Sequence, residues 1–279
     1  IVLPVSEDDT YENAFFLETM RGISLFCIQK QYFTTLITGS SNEELLSAIR
    51  SMVKENHLDG IILLYSNEQD PIIDYLYENG ILFVQIGKAS QYPGETICID
   101  NDNILAAREA VNHLYKLGHR KIGYVGTDLK RIFSDDRKAG YMLALAENNV
   151  PFQENYYLEM PQVPKNKTNR LLRFLSRENR PTAVLVSDDI LAMVLEKTAF
   201  ELHLQIPEDL SIISFNNSLF SKLSSPQLTS IDINSRQLGI EAASQMINHI
   251  ENPGLLATKI IVPHFMIERQ SCAPPKAPR

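Results

Sequence analysis

The chain lacks tryptophan and has only three cysteines, Cys27, Cys98 and Cys272, among its 279 residues. Their odd number and wide spacing fit free or buried thiols in a reducing compartment better than a disulfide framework or a zinc site. None of the six histidines stands in an HExxH or similar metal-binding spacing. We therefore expect no metal site and no cofactor, and we expect a cytoplasmic protein.

Long apolar runs are missing as well, since none approaches the roughly 18 residues that a membrane-spanning helix requires. The first residues, Ile1-Val2-Leu3-Pro4, include neither a methionine nor the basic segment of a signal peptide. We therefore expect no contact with a membrane, and we expect the natural beginning of the protein to lie upstream of Ile1.

Positive charge is in deficit, because 26 Lys and Arg face 34 Asp and Glu, for a net charge of −8. A negative surface repels nucleic-acid phosphates, so these residues alone are not expected to bind DNA.

Catalytic signatures are absent too, since the sequence contains no GxSxG, GxxxxGKS/T or GxGxxG motif. The carboxylate pair Asp188-Asp189 has no accompanying histidine cluster. We predict no catalytic residues and do not expect an enzyme.

Short apolar runs alternate with helical patterns along the whole chain, as is typical of βα units that build a parallel sheet. Continuous runs such as residues 183–186 predict strands that are buried on both faces. The length suggests about two domains, and the pattern restarts near Lys121. The sequence therefore predicts an α/β protein with two doubly wound parallel-sheet lobes.

Capping signals set several boundaries, among them Ser41 with Glu44 three residues later and Asp70 before Pro71. The predicted strands are 1–5, 32–38, 59–66, 81–86, 96–100, 121–125, 156–160, 183–186, 211–215, 228–233 and 259–265. The predicted helices are 13–29, 41–55, one from Pro71 to before Gly80, one ending before Gly118, 134–148, 168–179, 189–202 and 235–251. The last third holds too few elements for a third domain, so we expect it to cross back between the lobes. The residues after Arg269 show no periodicity and are expected to be poorly ordered.

Polar residues follow five of the predicted strands, where ligands bind in open α/β sheets. These strand ends are Ser6-Glu7-Asp8, Tyr65-Ser66-Asn67, Asp100-Asn101-Asp102-Asn103, Ser187-Asp188-Asp189 and Asn216-Asn217. Any one of them could instead be a helix N-cap or a turn. As a set, amides and carboxylates beside aromatic rings indicate a sugar site, because such groups pair with hydroxyls. Phe15, Phe16, Tyr65 and Phe220 could supply the rings, although a phenylalanine at helical spacing is more often a core residue.

Arg137 lies on the opening turn of a predicted helix, where the helix dipole does not favour a cation. Its five N–H donors could clamp a hydroxyl pair or a carboxylate. The alternative is a surface ion pair with Asp135 or Asp136. The candidate ligand-binding residues are Ser6, Phe15, Tyr65, Asp102, Arg137, Asp188, Asn216 and Phe220.

Several stretches resemble the effector-binding region of the lac/gal repressor family of bacterial transcription regulators, and the resemblance spans essentially the whole chain. They are HLYKLGHRKIGYVG (113–126), SDDRKAGYMLAL (134–145), PTAVLVSDDILAM (181–193), IPEDLSIISFNNSLFSKLSSPQLTSIDIN (206–234) and IIVPHFMIERQS (260–271). Within the family, SIISFNNS, PQLTSIDIN, IIVPHFMIERQS and DNDN at 100–103 are most similar to the branch that controls maltose utilisation in Gram-positive bacteria.

The resemblance implies two periplasmic-binding-protein-like lobes of type I that are linked by three crossings. The crossings are expected near Leu117–Arg120, Ile231–Asn234 and Ile261–Phe265. One lobe would comprise residues 1–118 with 235–260, and the other 121–231 with 264–279. The DNA-binding helix-turn-helix of the family would precede Ile1 and is absent from this chain.

The resemblance also implies roles for individual residues. Arg137 matches the arginine that clamps the effector, and Asp188 and Asn216 match polar residues of the distal lobe. Where the family commonly has Gly-Tyr-Asp or Gly-Phe-Asp, this chain has Ser214-Phe215-Asn216, so an amide replaces the usual carboxylate.

The implied function is sugar sensing by a transcriptional repressor that forms a homodimer and binds operator DNA through its N-terminal domain. Maltose or a maltodextrin would be the effector, and its binding would favour one lobe angle over another. The alternative from another class is an extracytoplasmic sugar-binding protein of a transporter, because the lobe architecture is shared.

Overall fold

The computed structural model describes residues 1–4, 13–55, 57–127, 131–160 and 167–276. In chain order, the elements are α1 (Ala14–Gln29), α2 (Asn42–Lys54), β1 (Ile61–Leu63), α3 (Pro71–Glu78), β2 (Phe83–Ile86), β3 (Ile97–Asp100), α4 (Asn103–Lys116), β4 (Ile122–Gly126), α5 (Ile132–Glu147), a 3₁₀ turn (Glu154–Tyr156), β5 (Tyr157–Glu159), α6 (Lys167–Leu175), β6 (Ala183–Val186), α7 (Asp189–Glu201), β7 (Ser211–Phe215), α8 (Leu219–Leu223), β8 (Thr229–Asp232), α9 (Ser235–Glu251), β9 (Lys259–Ile261) and β10 (Phe265–Ile267). Within these residues, no helix combines the length and the apolar character that crossing a bilayer requires.

The chain divides into two compact units, each assembled from three segments. The first unit comprises residues 1–101, 131–133 and 234–263, and the second comprises 102–130, 134–233 and 264–279. The division therefore places α4 in the second unit, whereas the predicted lobe boundary near residue 118 kept it in the first. The physical reason is close packing of α4 on α5, since a Cβ added at Gly140 would lie 2.2 Å from the carbonyl oxygen of Ile104.

The sheet of the first unit has four parallel strands in the order β1-β2-β3-β9. Alternate residues of β1 point to opposite faces of the sheet. Ile62 packs in a cluster with α1 and α9, whereas Ile61 and Leu63 pack in a second cluster with α2 and α3. Both faces are therefore covered by helices, which is the doubly wound arrangement that the sequence predicts.

Glycine allows α1 and α9 to approach each other closely. A Cβ at Gly239 of α9 would lie 2.1 Å from the carbonyl oxygen of Thr19, and one at Gly22 of α1 would lie 2.1 Å from that of Arg236. The two helices thus meet backbone to backbone at reciprocal positions, which no larger residue would permit.

The sheet of the second unit has the order β10-β8-β7-β6-β4-β5, and only β10 runs antiparallel to its neighbour. The single predicted strand over 259–265 was wrong. It is two strands in different sheets, because the chain leaves the first unit after Pro263 and β10 begins at Phe265. Helix α8 was not predicted.

The two predicted strands at 1–5 and 32–38 are reduced to isolated bridges. Val2 bridges both Ile37 and Leu63, and the N–H group of Val2 donates to Ile62 O at 2.9 Å. Val5 lies outside the described residues. Each described segment therefore pairs at single residues only, which is too short to count as a strand.

The segment 270–276 is anchored to the second unit, so the prediction of a poorly ordered end was wrong for these residues. Ser271 is buried, where its hydroxyl accepts from Thr229 N at 2.8 Å and donates to Ile212 O at 2.6 Å. The carbonyl oxygen of Ala273 lies 2.9 Å from Nε2 of His119, a buried imidazole whose pKa is lowered by desolvation. Hydrogen bonding to polar side chains, which leaves no periodic pattern in the sequence, holds this segment.

Candidate functional site

Arg137 of α5 is a buried arginine, with only 4% of its surface exposed. Its Nε donates to Oδ1 of Asn103 at 2.8 Å and its Nη1 donates to the carbonyl oxygen of Ser187 at 2.6 Å. The guanidinium carbon lies 3.9 Å from the centre of the Phe215 ring. A side chain buried in this way does not form the exposed surface ion pair that was the alternative for Arg137.

Each of these three contacts of Arg137 is the sequence neighbour of a predicted ligand-binding residue. Asp102 precedes Asn103, Asp188 follows Ser187, and Asn216 follows Phe215. The strands β4, β6 and β7 are adjacent and parallel, so their carboxyl ends meet at one edge of the sheet. The second unit therefore brings Asp102, Arg137, Asp188 and Asn216 together.

Asp102 and Asp188 are also helix N-caps. Oδ1 of Asp102 accepts from Leu105 N at the start of α4, and Oδ1 of Asp188 accepts from Leu191 N at the start of α7, each at 2.8 Å. Each carboxylate can cap its helix and still contact a ligand, because capping occupies Oδ1. No hydrogen bond within the described residues occupies Oδ2 of either one.

Asn216 adopts a backbone angle that side chains rarely tolerate, with φ at 91°. Its N–H donates to Ile231 O at 2.8 Å, which continues the pairing of β7 with β8. Among the described residues, its side-chain amide has no hydrogen-bond partner. Asn216 thus combines a positive φ with a side-chain amide that is uncommitted among the described residues, directly after the Arg137 contact Phe215.

Asp189, the neighbour of Asp188, has a different role, since it is buried beneath the same edge of the sheet. Its carboxylate accepts from the hydroxyls of Ser214 and Ser230 and from Ser218 N at 2.6 Å. Burial raises the pKa of this carboxyl group, and the hydrogen bonds from Ser214 and Ser218 oppose the rise. Asp189 therefore stabilises the loop after β7 and does not face a ligand.

The remaining candidates are Ser6, Phe220, Phe15 and Tyr65. Ser6 lies outside the described residues. Phe220 is partly buried on α8, with its N–H donating to Ser218 Oγ at 3.2 Å. Phe15 belongs to the first unit, where its ring packs edge-on against Phe16 with the ring centres 5.2 Å apart.

Tyr65 also belongs to the first unit and is 8% exposed. Its buried hydroxyl has no hydrogen bond of normal geometry within the described residues. Burial, together with the nearby carboxylate of Asp70, raises the pKa of this phenol well above its usual range.

Sequence reasoning missed Asn103, Ser187 and Phe215, the residues that hold Arg137. Asn103 and Ser187 stand within the polar strand ends, but nothing in the sequence separates a residue that touches the arginine from its neighbours. From the sequence alone, Phe215 is only the last apolar residue of a predicted strand, which gives no sign of its contact with Arg137. Among the described residues, no group of three or more His, Cys, Asp or Glu is arranged to hold a metal ion.

Comparison with known proteins adds three findings. Residues 111–272, more than half of the chain, match a family model described as a periplasmic binding protein-like domain. The HTH-type transcriptional regulator MalR of Staphylococcus xylosus is 30% identical over 93% of this chain and 76% of that protein.

Two solved structures are also similar. A transcriptional regulator titled LacI from Bacillus cereus subsp. cytotoxis is 36% identical, with a TM-score of 0.93 over 98% of this chain and 97% of that one. A protein titled as a maltose operon transcriptional repressor from Staphylococcus aureus is 28% identical, with a TM-score of 0.87 over 97% and 96% of the two chains. With the periplasmic-binding-protein-like fold and the Arg137 site, these matches show that the chain belongs to the lac/gal repressor family, as the effector-binding domain of a transcriptional repressor.

Proposed function

We propose that this domain binds maltose or a short maltodextrin and that the sugar contacts the Arg137 edge of the second unit. The observation that carries the proposal is the buried guanidinium of Arg137, held by Asn103, Ser187 and Phe215 beside the free amide of Asn216. A guanidinium held in place near an amide that is uncommitted among the described residues suits a pair of neighbouring hydroxyls.

The mixture of donors and acceptors at this edge supports a ligand that bears hydroxyl groups. The cation Arg137 is accompanied by the carboxylates Asp102 and Asp188, each with one oxygen outside its helix cap. Such a mixture of donors and acceptors matches hydroxyl groups, which both donate and accept. The MalR name of one relative and the maltose operon title of another support maltose over other sugars.

Phe15, Tyr65 and Phe220 are proposed to supply apolar surface to the sugar, and Ser6 a further hydroxyl. We propose that the repressor is a homodimer in the cytoplasm that binds operator DNA through an N-terminal domain. Sugar binding would shift the balance between two conformations, as allosteric control requires. The matches to transcription regulators do not favour the alternative of a transporter's sugar-binding protein.

Titration calorimetry of the chain with maltose, maltotriose and glucose tests the proposal. Maltose or maltotriose is expected to bind at one site per chain, and glucose about tenfold more weakly because it offers fewer hydroxyls. Absence of heat with all three sugars would contradict the sugar assignment.

A further inference from the structure

The loop after β7, residues 216–218, holds two consecutive non-glycine residues at positive φ. We call it the 216–218 turn. The angles are 91° at Asn216 and 47° at Asn217, values that are uncommon for L residues, although asparagine adopts them more readily than most. Contacts on both the inner and the outer side of the turn hold it in this conformation.

The inner side of the turn is held through the backbone. The N–H of Asn217 donates to Ser230 Oγ at 3.0 Å, and the N–H of Ser218 donates to Oδ2 of Asp189 at 2.6 Å. The hydroxyl of Ser230 in turn donates to Oδ1 of Asp189 at 3.1 Å. These bonds fix the position of the backbone but do not touch the side chain of Asn217.

The outer side of the turn is held by Arg269, which follows β10 near the end of the chain. Its Nη2 donates to Oδ1 of Asn217, its Nη1 donates to Leu228 O at 2.7 Å, and its own N–H donates to Thr229 Oγ1 at 3.0 Å. Arg269 is thus anchored on Leu228 and Thr229, at the start of β8, and it reaches the turn through the side chain of Asn217.

The Asn217 amide is used at both ends, because its Nδ2 donates to Oδ2 of Asp232 at 2.8 Å. With the Asn217 side chain clamped between Arg269 and Asp232, the turn cannot rotate its peptide groups without breaking a charge-assisted hydrogen bond. The neighbouring Asn216 amide has no such bond within the described residues, so the turn alone sets its direction.

We propose that Arg269 is a positioning residue for effector recognition, because it fixes, through Asn217, the left-handed turn that presents the Asn216 amide to the sugar. This inference rests on the proposed function for the ligand, but the positioning itself is a property of the chain. Arg269 need not touch the sugar.

The test compares Arg269→Met with Arg180→Met in the chain used for sugar titration. Arg180 is a matched control, because this partly buried arginine of the same unit also donates to carbonyl oxygens, those of Asp209 at 2.7 Å and Pro181 at 3.2 Å. Two quantities are measured for each variant: hydrogen exchange at the N–H groups of the 216–218 turn without sugar, and the affinity for maltose.

Arg269→Met is expected to speed exchange at the 216–218 turn about tenfold and to weaken maltose binding about tenfold. Arg180→Met should leave both within about twofold, even if it lowers the melting temperature equally. Arg269→Lys keeps the charge and one donor, so it should recover part of both losses. Unchanged exchange in Arg269→Met, or equal changes in Arg180→Met, would overturn the inference.

Asn217→Gly provides a second route should Arg269→Met fail to fold. It removes the acceptor of Arg269 while glycine accommodates the positive φ, and it should give the same losses. Wild-type exchange and affinity in Asn217→Gly would also overturn the inference. If the wild type binds no maltose, the proposed function fails. The exchange measurement alone still decides whether Arg269 holds the 216–218 turn.

Discussion

The two units stabilise their interiors by different means. In the first, α1 and α9 meet through Gly22 and Gly239, with apolar side chains filling the space around them. In the second, the buried residues Arg137 and Asp189 each form several hydrogen bonds with neighbouring polar groups at the carboxyl edge of the sheet. The α1–α9 contact of the first unit therefore depends on shape, and the carboxyl edge of the second depends on hydrogen bonding, so different substitutions should damage each one.

Gly239→Ala should have the largest effect, because it tests shape in the first unit. The added methyl group would lie 2.1 Å from the carbonyl oxygen of Thr19, a backbone atom that cannot move aside cheaply. We expect a loss of about 3 kcal/mol in the free energy of unfolding, measured by urea titration. Gly94→Ala is the control, since a Cβ there meets no atom within 4 Å. Equal stability of the two variants would contradict the packing account.

Asp189→Asn should have the next largest effect, because it tests hydrogen bonding in the second unit. The amide nitrogen would replace one carboxylate oxygen and so point a donor toward either the Ser214 hydroxyl or the Ser218 N–H in a buried site. A loss of roughly 2 kcal/mol is expected in the same measurement. Asp188→Asn should change stability by less than about 0.5 kcal/mol, because asparagine caps a helix as well as aspartate does. The comparison fails if Asp188→Asn is the more damaging of the two.

Glu196→Gln tests whether the second unit also contains a buried polar group that lowers stability. Oε1 of Glu196 is buried without a partner in the described structure, and desolvation raises the pKa of this carboxyl group to about 7. The folded-state pKa lies above the unfolded value. The contribution of the protonated Glu196 carboxyl group to stability is therefore fully present below about pH 4.5 and is lost as the pH rises through 7.

Glu196→Gln should therefore gain about 1 to 2 kcal/mol at pH 8 and little at pH 5. Urea unfolding at both pH values measures the difference. Glu201→Gln, on the exposed side of the same helix, should stay within about 0.5 kcal/mol at each pH. A gain for Glu196→Gln that is the same at both pH values would show that ionisation is not its cause.

Tyr65→Phe should have the smallest effect, because it removes a buried hydroxyl that makes no hydrogen bond of normal geometry among the described residues. We expect a change of less than about 1 kcal/mol, with either no loss or a slight gain. A melting curve suffices to measure it. A loss above about 1.5 kcal/mol would show that the Tyr65 hydroxyl has a partner in solution and that the first unit, too, depends on polar bonds.

The sequence was sufficient to predict the α/β class, most helix boundaries and the polar edge around Arg137. Helix α9, for example, begins and ends at the predicted residues 235 and 251, because helical periodicity is local. The strand at 259–265 was mispredicted because its division between two sheets depends on distant partners. Likewise, no local pattern could show that Phe215 supports Arg137 or that Arg269 reaches Asn217, since those contacts join residues that are far apart in the chain.

The central claim is that the buried Arg137 of the second unit binds the sugar. The most direct test is the maltose affinity of Arg137→Met beside that of Arg108→Met, whose wild-type arginine pairs with Glu147 at 2.9 Å on the surface of the same unit. Arg137→Met is predicted to lose about 100-fold in affinity, and Arg108→Met should stay within about twofold of the wild type. Wild-type affinity in Arg137→Met would contradict the account.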